Sequence, residues 1–149
     1  MWNDAILAYL HFAAIFTLIW FLAKEWTLLR VGFANVDIER LASADAGFGI
    51  AAGSVLVTGA LRAAFGIKGW AFYAHNPAFH VKVGLFVLVG LISIAPTIRF
   101  LRWRKVRRND AAFRVSESEW KSARRLLMIE LHLVALIPLA AVIMSRGLG

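Results

Sequence analysis

The sequence predicts an all-α integral membrane protein: a four-helix bundle with both termini outside, on the periplasmic face. Three observations predict it. Of 149 residues, 60% are hydrophobic, against about 45–50% in a soluble domain, and mean hydropathy is +0.69. The apolar residues gather in four runs, 5–23, 46–61, 83–98 and 131–145, and none of these contains Asp, Glu, Lys or Arg. No run alternates with period two, which argues against strands, and each is too apolar all round for an amphipathic surface helix. Finally, the charge is lopsided. Of 17 Lys and Arg, 13 fall within 24–40 or 99–125.

The first span is placed at 4–29. Its start, Met1-Trp2-Asn3-Asp4, lacks a basic segment, and no small-residue cleavage site follows the run, so it is not a cleaved leader. The second span, 41–65, is rich in small residues. Gly49-Ile-Ala-Ala-Gly53 is a GxxxG, suited to ordinary helix packing, to a flat cofactor, or to a close partner such as a second copy in a homo-oligomer. The third, 77–103, opens at Asn76-Pro77 and runs into a basic extension. Pro96 lies within it, and Pro138 within the fourth, 122–146. Each proline frees a carbonyl four residues back and can bend its helix. Ser116-Glu117-Ser118-Glu119 forms a capping box before the fourth helix. Three apolar runs fall short of about 20 residues, but their Arg, Lys and His flanks can snorkel to the interface.

The basic loops mark the cytoplasmic side of a bacterial inner membrane, so the chain is multi-pass with both ends outside. Trp2 and Trp70 sit at the outer boundary, and Trp26, Trp103 and Trp120 at the inner one, as an aromatic belt. The net charge of +8 is then topology and needs no nucleic acid as partner. No Cys means no disulfide scaffold, no thiolate metal site and no cysteine catalysis.

Ionisable residues at membrane depth are the functional candidates. They form two layers. The outer layer holds His11, Arg62, Tyr73, His75, His80, Lys82 and Arg146, with Lys68 nearby and no carboxylate except Asp4. Such a site wants an anion. The inner layer holds Glu25, Arg30, Asp45, Arg99, Glu130 and His132. Its signs are mixed. One reading is a buried charge network in which Arg99 or Arg30 neutralises Glu25 and Asp45; the other is a proton relay through Glu130 and His132. His11 lies roughly 9 Å below the outer start of its helix, and His132 about 12 Å deeper at 1.5 Å per residue. His80 is thus the better trans partner for His11 in binding a metal. However, His80 and Lys82 are two apart and cannot share one helix face. A single His ligand and a simple packing histidine both stay open.

Leu7-Ala-Tyr-Leu-His11-Phe with Trp20 downstream resembles the first helix of HemJ-type protoporphyrinogen oxidases, which are grouped with CopD-like membrane domains. Phe79-His-Val-Lys82 resembles their lysine-bearing helix. Over nearly the whole chain the sequence resembles a related family of predicted bacterial membrane proteins of unknown function. The residues that carry this are Thr58-Gly59 with Arg62, Lys68-Gly69, Asn76-Pro77 with Phe79 and Lys82, Ser93 with Pro96-Thr97, Pro138 and Arg146-Gly147. The resemblance implies haem b, with His11 as the histidine holding it and Lys82 beside it. Arg62, Lys82 or Arg146 would pair with its propionates. Where HemJ proteins carry an arginine-rich segment, this chain has 22–30, Leu-Ala-Lys-Glu-Trp-Thr-Leu-Leu-Arg.

The leading expectation is therefore a haem b membrane protein, a redox carrier or a HemJ-like oxidoreductase acting on quinone or a porphyrin substrate. The alternatives are a transporter or channel for a small anion or metal, and a non-catalytic bundle that binds lipid or a partner protein. Copper would want Met or Cys clusters, and only Met1, Met128 and Met144 are present.

Overall fold

A computed structural model describes residues 2–67 and 69–146. Lys68 and Gly147, both singled out in the sequence, lie outside the described residues. The elements are α1 (Trp2–Arg30), a 3-10 turn (Phe33–Asn35), α2 (Ile38–Phe65), α3 (Gly69–Ala74), α4 (Pro77–Asn109) and α5 (Glu117–Ser145). Helices α1, α2, α4 and α5 are each long and apolar enough to cross a membrane.

Local chemistry sets most of the helix ends. The Asp37 carboxylate caps α2 by accepting from the Arg40 N–H at 3.1 Å. Asn76 caps α4 by accepting from Phe79 N–H at 3.2 Å, with Pro77 at the first turn where its missing N–H costs nothing. Ser116 Oγ accepts from Glu119 N–H at 3.4 Å, which is the capping box at the start of α5. Asp4 in the first turn of α1 and Arg30 in its last match the helix dipole. Gly32 and Gly69 carry φ of 90° and 71°. Only glycine takes such angles without strain, so the chain can turn after α1 and enter α3.

The four long helices pack as a ring, α1 on α2, α2 on α4, α4 on α5 and α5 on α1. Neighbours in the ring run antiparallel because the connections are short. One end of the bundle carries both termini with α3; the other carries the basic loops. The core is concentrated at the basic end. Its largest fully buried side chains include Leu22, Leu41, Phe100, Trp103 and Leu127. Around them the outer surface is apolar, with Phe16, Ile50, Leu56, Leu91 and Leu139 all exposed. Such a surface is suited to lipid rather than water.

Two packing expectations are corrected. Trp103 is fully buried and donates its indole N–H to Glu119 at 3.2 Å, so it belongs to the core and not to an aromatic belt. Trp120 is half-buried and donates to the Leu29 carbonyl at 2.8 Å. The Gly49–Gly53 face is not a helix contact within the bundle. Both glycines are exposed, and a Cβ at either would meet nothing within 4 Å. The close approaches fall at other glycines. Gly47 lies against the Phe21 ring, and a Cβ at Gly59 would stand 3.2 Å from Cε1 of His11.

Candidate functional site

At the end carrying the termini, His11 is buried on α1 and faces α2. Its Nδ1 is 2.9 Å from Thr58 Oγ1. The Thr58 hydroxyl has one proton, and it goes to the Ser54 carbonyl at 2.7 Å. With its proton on the Ser54 carbonyl, the oxygen accepts from His11, and in that arrangement Nδ1 carries the ring proton and the lone pair is left on Nε2. An imidazole held this way at its rear nitrogen has its front nitrogen set for a metal or a proton donor.

Arg62 on α2 and Lys82 on α4 bring positive charge to the same place. Both charges act on His11, and Arg62 also acts on Lys82. The Arg62 guanidinium lies 5.9 Å from the Phe12 ring and the Lys82 ammonium 5.6 Å from the Phe79 ring, favourable cation–π distances. Nε of Arg62 is buried with no hydrogen-bond partner. Among the described residues no carboxylate forms an ion pair with either cation. Asp4 is engaged elsewhere, accepting from the Ile67 N–H at 3.2 Å where α2 ends.

The other expected members of this layer are placed differently. Tyr73 is buried on α3, its ring 5.3 Å from those of Phe72 and Phe79. His80 is exposed, and its Nε2 meets the Ala74 carbonyl at 2.9 Å, so the two histidine rings are engaged apart. His75 is exposed against the Ala71 carbonyl. Arg146 is exposed just past α5. Inward from His11 and Thr58 runs an apolar groove between α1 and α2 of about 190 Å³, lined by Ala14, Thr17, Phe21, Gly47, Ile50, Ala51 and Ser54.

Nearer the basic end, Glu25 on α1, Asp45 on α2 and Glu130 on α5 are all buried. The three are near enough that their ionised forms would repel one another, Asp45 and Glu130 acting on Glu25 and Asp45 on Glu130. Thr97 on α4 donates its hydroxyl to Asp45 at 2.7 Å. Oε1 of Glu25 and Oε1 of Glu130 are buried with no hydrogen-bond partner. The expected neutralisation by Arg30 or Arg99 does not occur. Arg30 is exposed, and Arg99 donates to the Glu119 carbonyl at 3.4 Å. The relay partner expected for Glu130 is also elsewhere. His132, two residues on, points to the outside of the bundle against the Met128 carbonyl at 2.6 Å.

Sequence reasoning missed Thr58 and Thr97 as partners of His11 and Asp45. Each is a hydroxyl within an apolar span, at a depth comparable to that of its partner, and that was the available signal. No curated protein and no solved structure matches this chain. A family described as "Predicted membrane protein (DUF2214)" matches residues 3–149. With four apolar helices long enough to span and lipid-suited side chains around them, the chain belongs to that family of membrane proteins.

Proposed function

We propose that this protein binds an anionic prosthetic group at His11, and that the group is haem b. The observation that carries the reading is the hydrogen-bond chain from His11 Nδ1 through Thr58 to the Ser54 carbonyl. It leaves Nε2 as a neutral ligand nitrogen at membrane depth. Two cations without carboxylate partners, Arg62 and Lys82, lie close enough to act on the ring, and a haem brings two propionates for them. The donor set thus fits the group. The groove beside it, at about 190 Å³, is smaller than the roughly 300–1,000 Å³ of an enclosing ligand pocket, so lipid would cover the rest of a macrocycle. When bound, haem supplies one-electron chemistry. Thr58 holds the imidazole, Arg62 and Lys82 would pair with the propionates, and Tyr73 and Phe79 would help exclude water. The partners proposed are a quinone or a porphyrin substrate.

The positive-inside rule supports a reading in which the end with the basic loops faces the cytoplasm and the His11 site lies near the outer face of a bacterial inner membrane. The resemblance of residues 7–12 and 79–82 to HemJ-type proteins supports the same ligand.

The test is an absorption spectrum of protein purified from cells supplied with haem. The expected result is a Soret band that is lost in His11→Ala and reduced in Lys82→Ala. A colourless wild type refutes haem. A second reading, a small-anion site or path, is favoured by the buried unpaired Nε of Arg62. Anion flux in proteoliposomes without a chromophore would select it.

A further inference from the structure

The buried acids at the other end of the bundle have no role in that reading. Three helices each place one carboxylate in the interior: Glu25 (2% exposed), Asp45 (5%) and Glu130 (1%). The helix that completes the ring contributes Thr97, whose hydroxyl serves Asp45 alone. Two of the acids keep an oxygen buried with nothing to accept from. Three carboxylate charges at this depth, with no cation between them, are untenable in an apolar interior. The compensating positive charge has to come from solution.

The charged groups around the cluster do not supply it. On α1, Lys24 stacks over Trp20 at 5.1 Å, and Arg30 is exposed. On α2, Glu39 pairs with Arg108 at 2.8 Å, and Arg40 is exposed and pairs with Asp37. On α4, Arg99 serves the Glu119 carbonyl and Arg102 pairs with the Glu119 carboxylate. On α5, Arg124 lies 5.1 Å from the Trp26 ring and 5.3 Å from that of Trp120, and His132 faces outward. A metal cation would want several ligands converging, and among the described residues no group of three acidic or histidine side chains is arranged to hold one. Protons require no such convergence. Each adds to one carboxylate oxygen and yields a neutral acid, which an apolar interior tolerates far better than the anion.

We propose that Glu25, Asp45 and Glu130 form an exchangeable proton-binding site within the bundle, independent of any ligand at His11. Loading transfers a proton from water to a carboxylate oxygen, with no redox partner and no leaving group. Asp45, already served by Thr97, is the member best able to stay ionised, and Glu25 and Glu130 carry the protons.

The test uses the full chain in liposomes treated with dicyclohexylcarbodiimide, which modifies protonated carboxyl groups in apolar surroundings, followed by peptide mass spectrometry. The expected label falls on Glu25 and Glu130 at neutral pH and declines as pH rises. Glu25→Gln and Glu130→Gln each lose their own label and keep the other. No label on either residue at any pH overturns the proposal. So does label that ignores pH but is blocked by sodium, since the occupant is then a metal cation. If the glutamine variants do not fold, infrared spectra of the wild type decide. A protonated-carboxyl stretch that vanishes at high pH supports the site, and its absence at neutral pH refutes it.

Discussion

The two ends of the bundle solve opposite problems with opposite means. The basic end is packed with Phe100, Trp103, Leu41 and Leu127, all with essentially no exposure, yet its interior acids have no counter-ion. The end carrying the termini holds fewer large buried side chains, yet there the buried base and its two neighbouring cations are without acids. Each region contains the charge that the other lacks, and the two are not paired with each other. In a bundle whose only concern were stability, mixed charges at membrane depth would pair or disappear. The segregation leaves two separate places with ionisable groups of opposite kind and no protein counter-ion, and each must be neutralised from outside the bundle.

The packing half of the comparison is broken most strongly at Phe100, which touches Trp103 with ring centroids 5.5 Å apart. Phe100→Ala leaves a cavity that its neighbours cannot fill. Core Phe-to-Ala changes cost about 3–5 kcal/mol. The effect here belongs at the low end, because the unfolded helices remain in lipid and forfeit little transfer energy. The expected outcome is a large fall in melting temperature in detergent. A fall no larger than that of a surface change would mean the basic end is not the packed half.

At the other end the largest single effect is expected from Thr58→Val. Valine keeps the shape and removes the hydroxyl oxygen that lies 2.9 Å from His11 Nδ1. A buried donor left unsatisfied costs about 1–3 kcal/mol, and the ring is freed to turn. Modest destabilisation should accompany a broadened or shifted spectrum of whatever the site binds. Thr58→Ser, which retains the oxygen, should restore both. An unchanged spectrum in Thr58→Val would separate the histidine's orientation from its function.

Much of this architecture was legible in the sequence. Four charge-free runs place the long helices, and Asn76-Pro77 and Ser116–Glu119 mark two of their starts, because capping and apolarity are local properties. The short α3 is not legible, since six residues around Trp70 and Tyr73 carry no periodic signal. The facing of side chains was legible only where spacing constrained it. The separation of His80 from Lys82 followed from a two-residue offset, and the exposed His80 ring agrees with it. The two-residue offset between Glu130 and His132 carries the same information and separates the buried Glu130 from the exposed His132. Charge balance predicts that Arg99 or Arg30 pairs with Glu25 and Asp45, and the structure instead has Arg99 on the Glu119 carbonyl and Arg30 exposed. Which side of a helix faces a neighbour depends on the rotation of all four at once, and no run of residues encodes that by itself.

Gly53 gives the smallest expected effect and the most direct check of that rotation. The residue is exposed on α2, and a Cβ there meets open space. Gly53→Leu therefore adds a side chain that would meet lipid, and it also replaces the poorest ordinary helix former, at a gain of somewhat under about 1 kcal/mol. The monomer's melting temperature should stay level or rise slightly. The same change at Gly47, where a Cβ runs into the Phe21 ring, should lower it through overpacking. If Gly53→Leu is as damaging as Phe100→Ala, the GxxxG face is a packed contact after all, and α2 sits in the bundle with a different rotation from the one that brings Thr58 to His11.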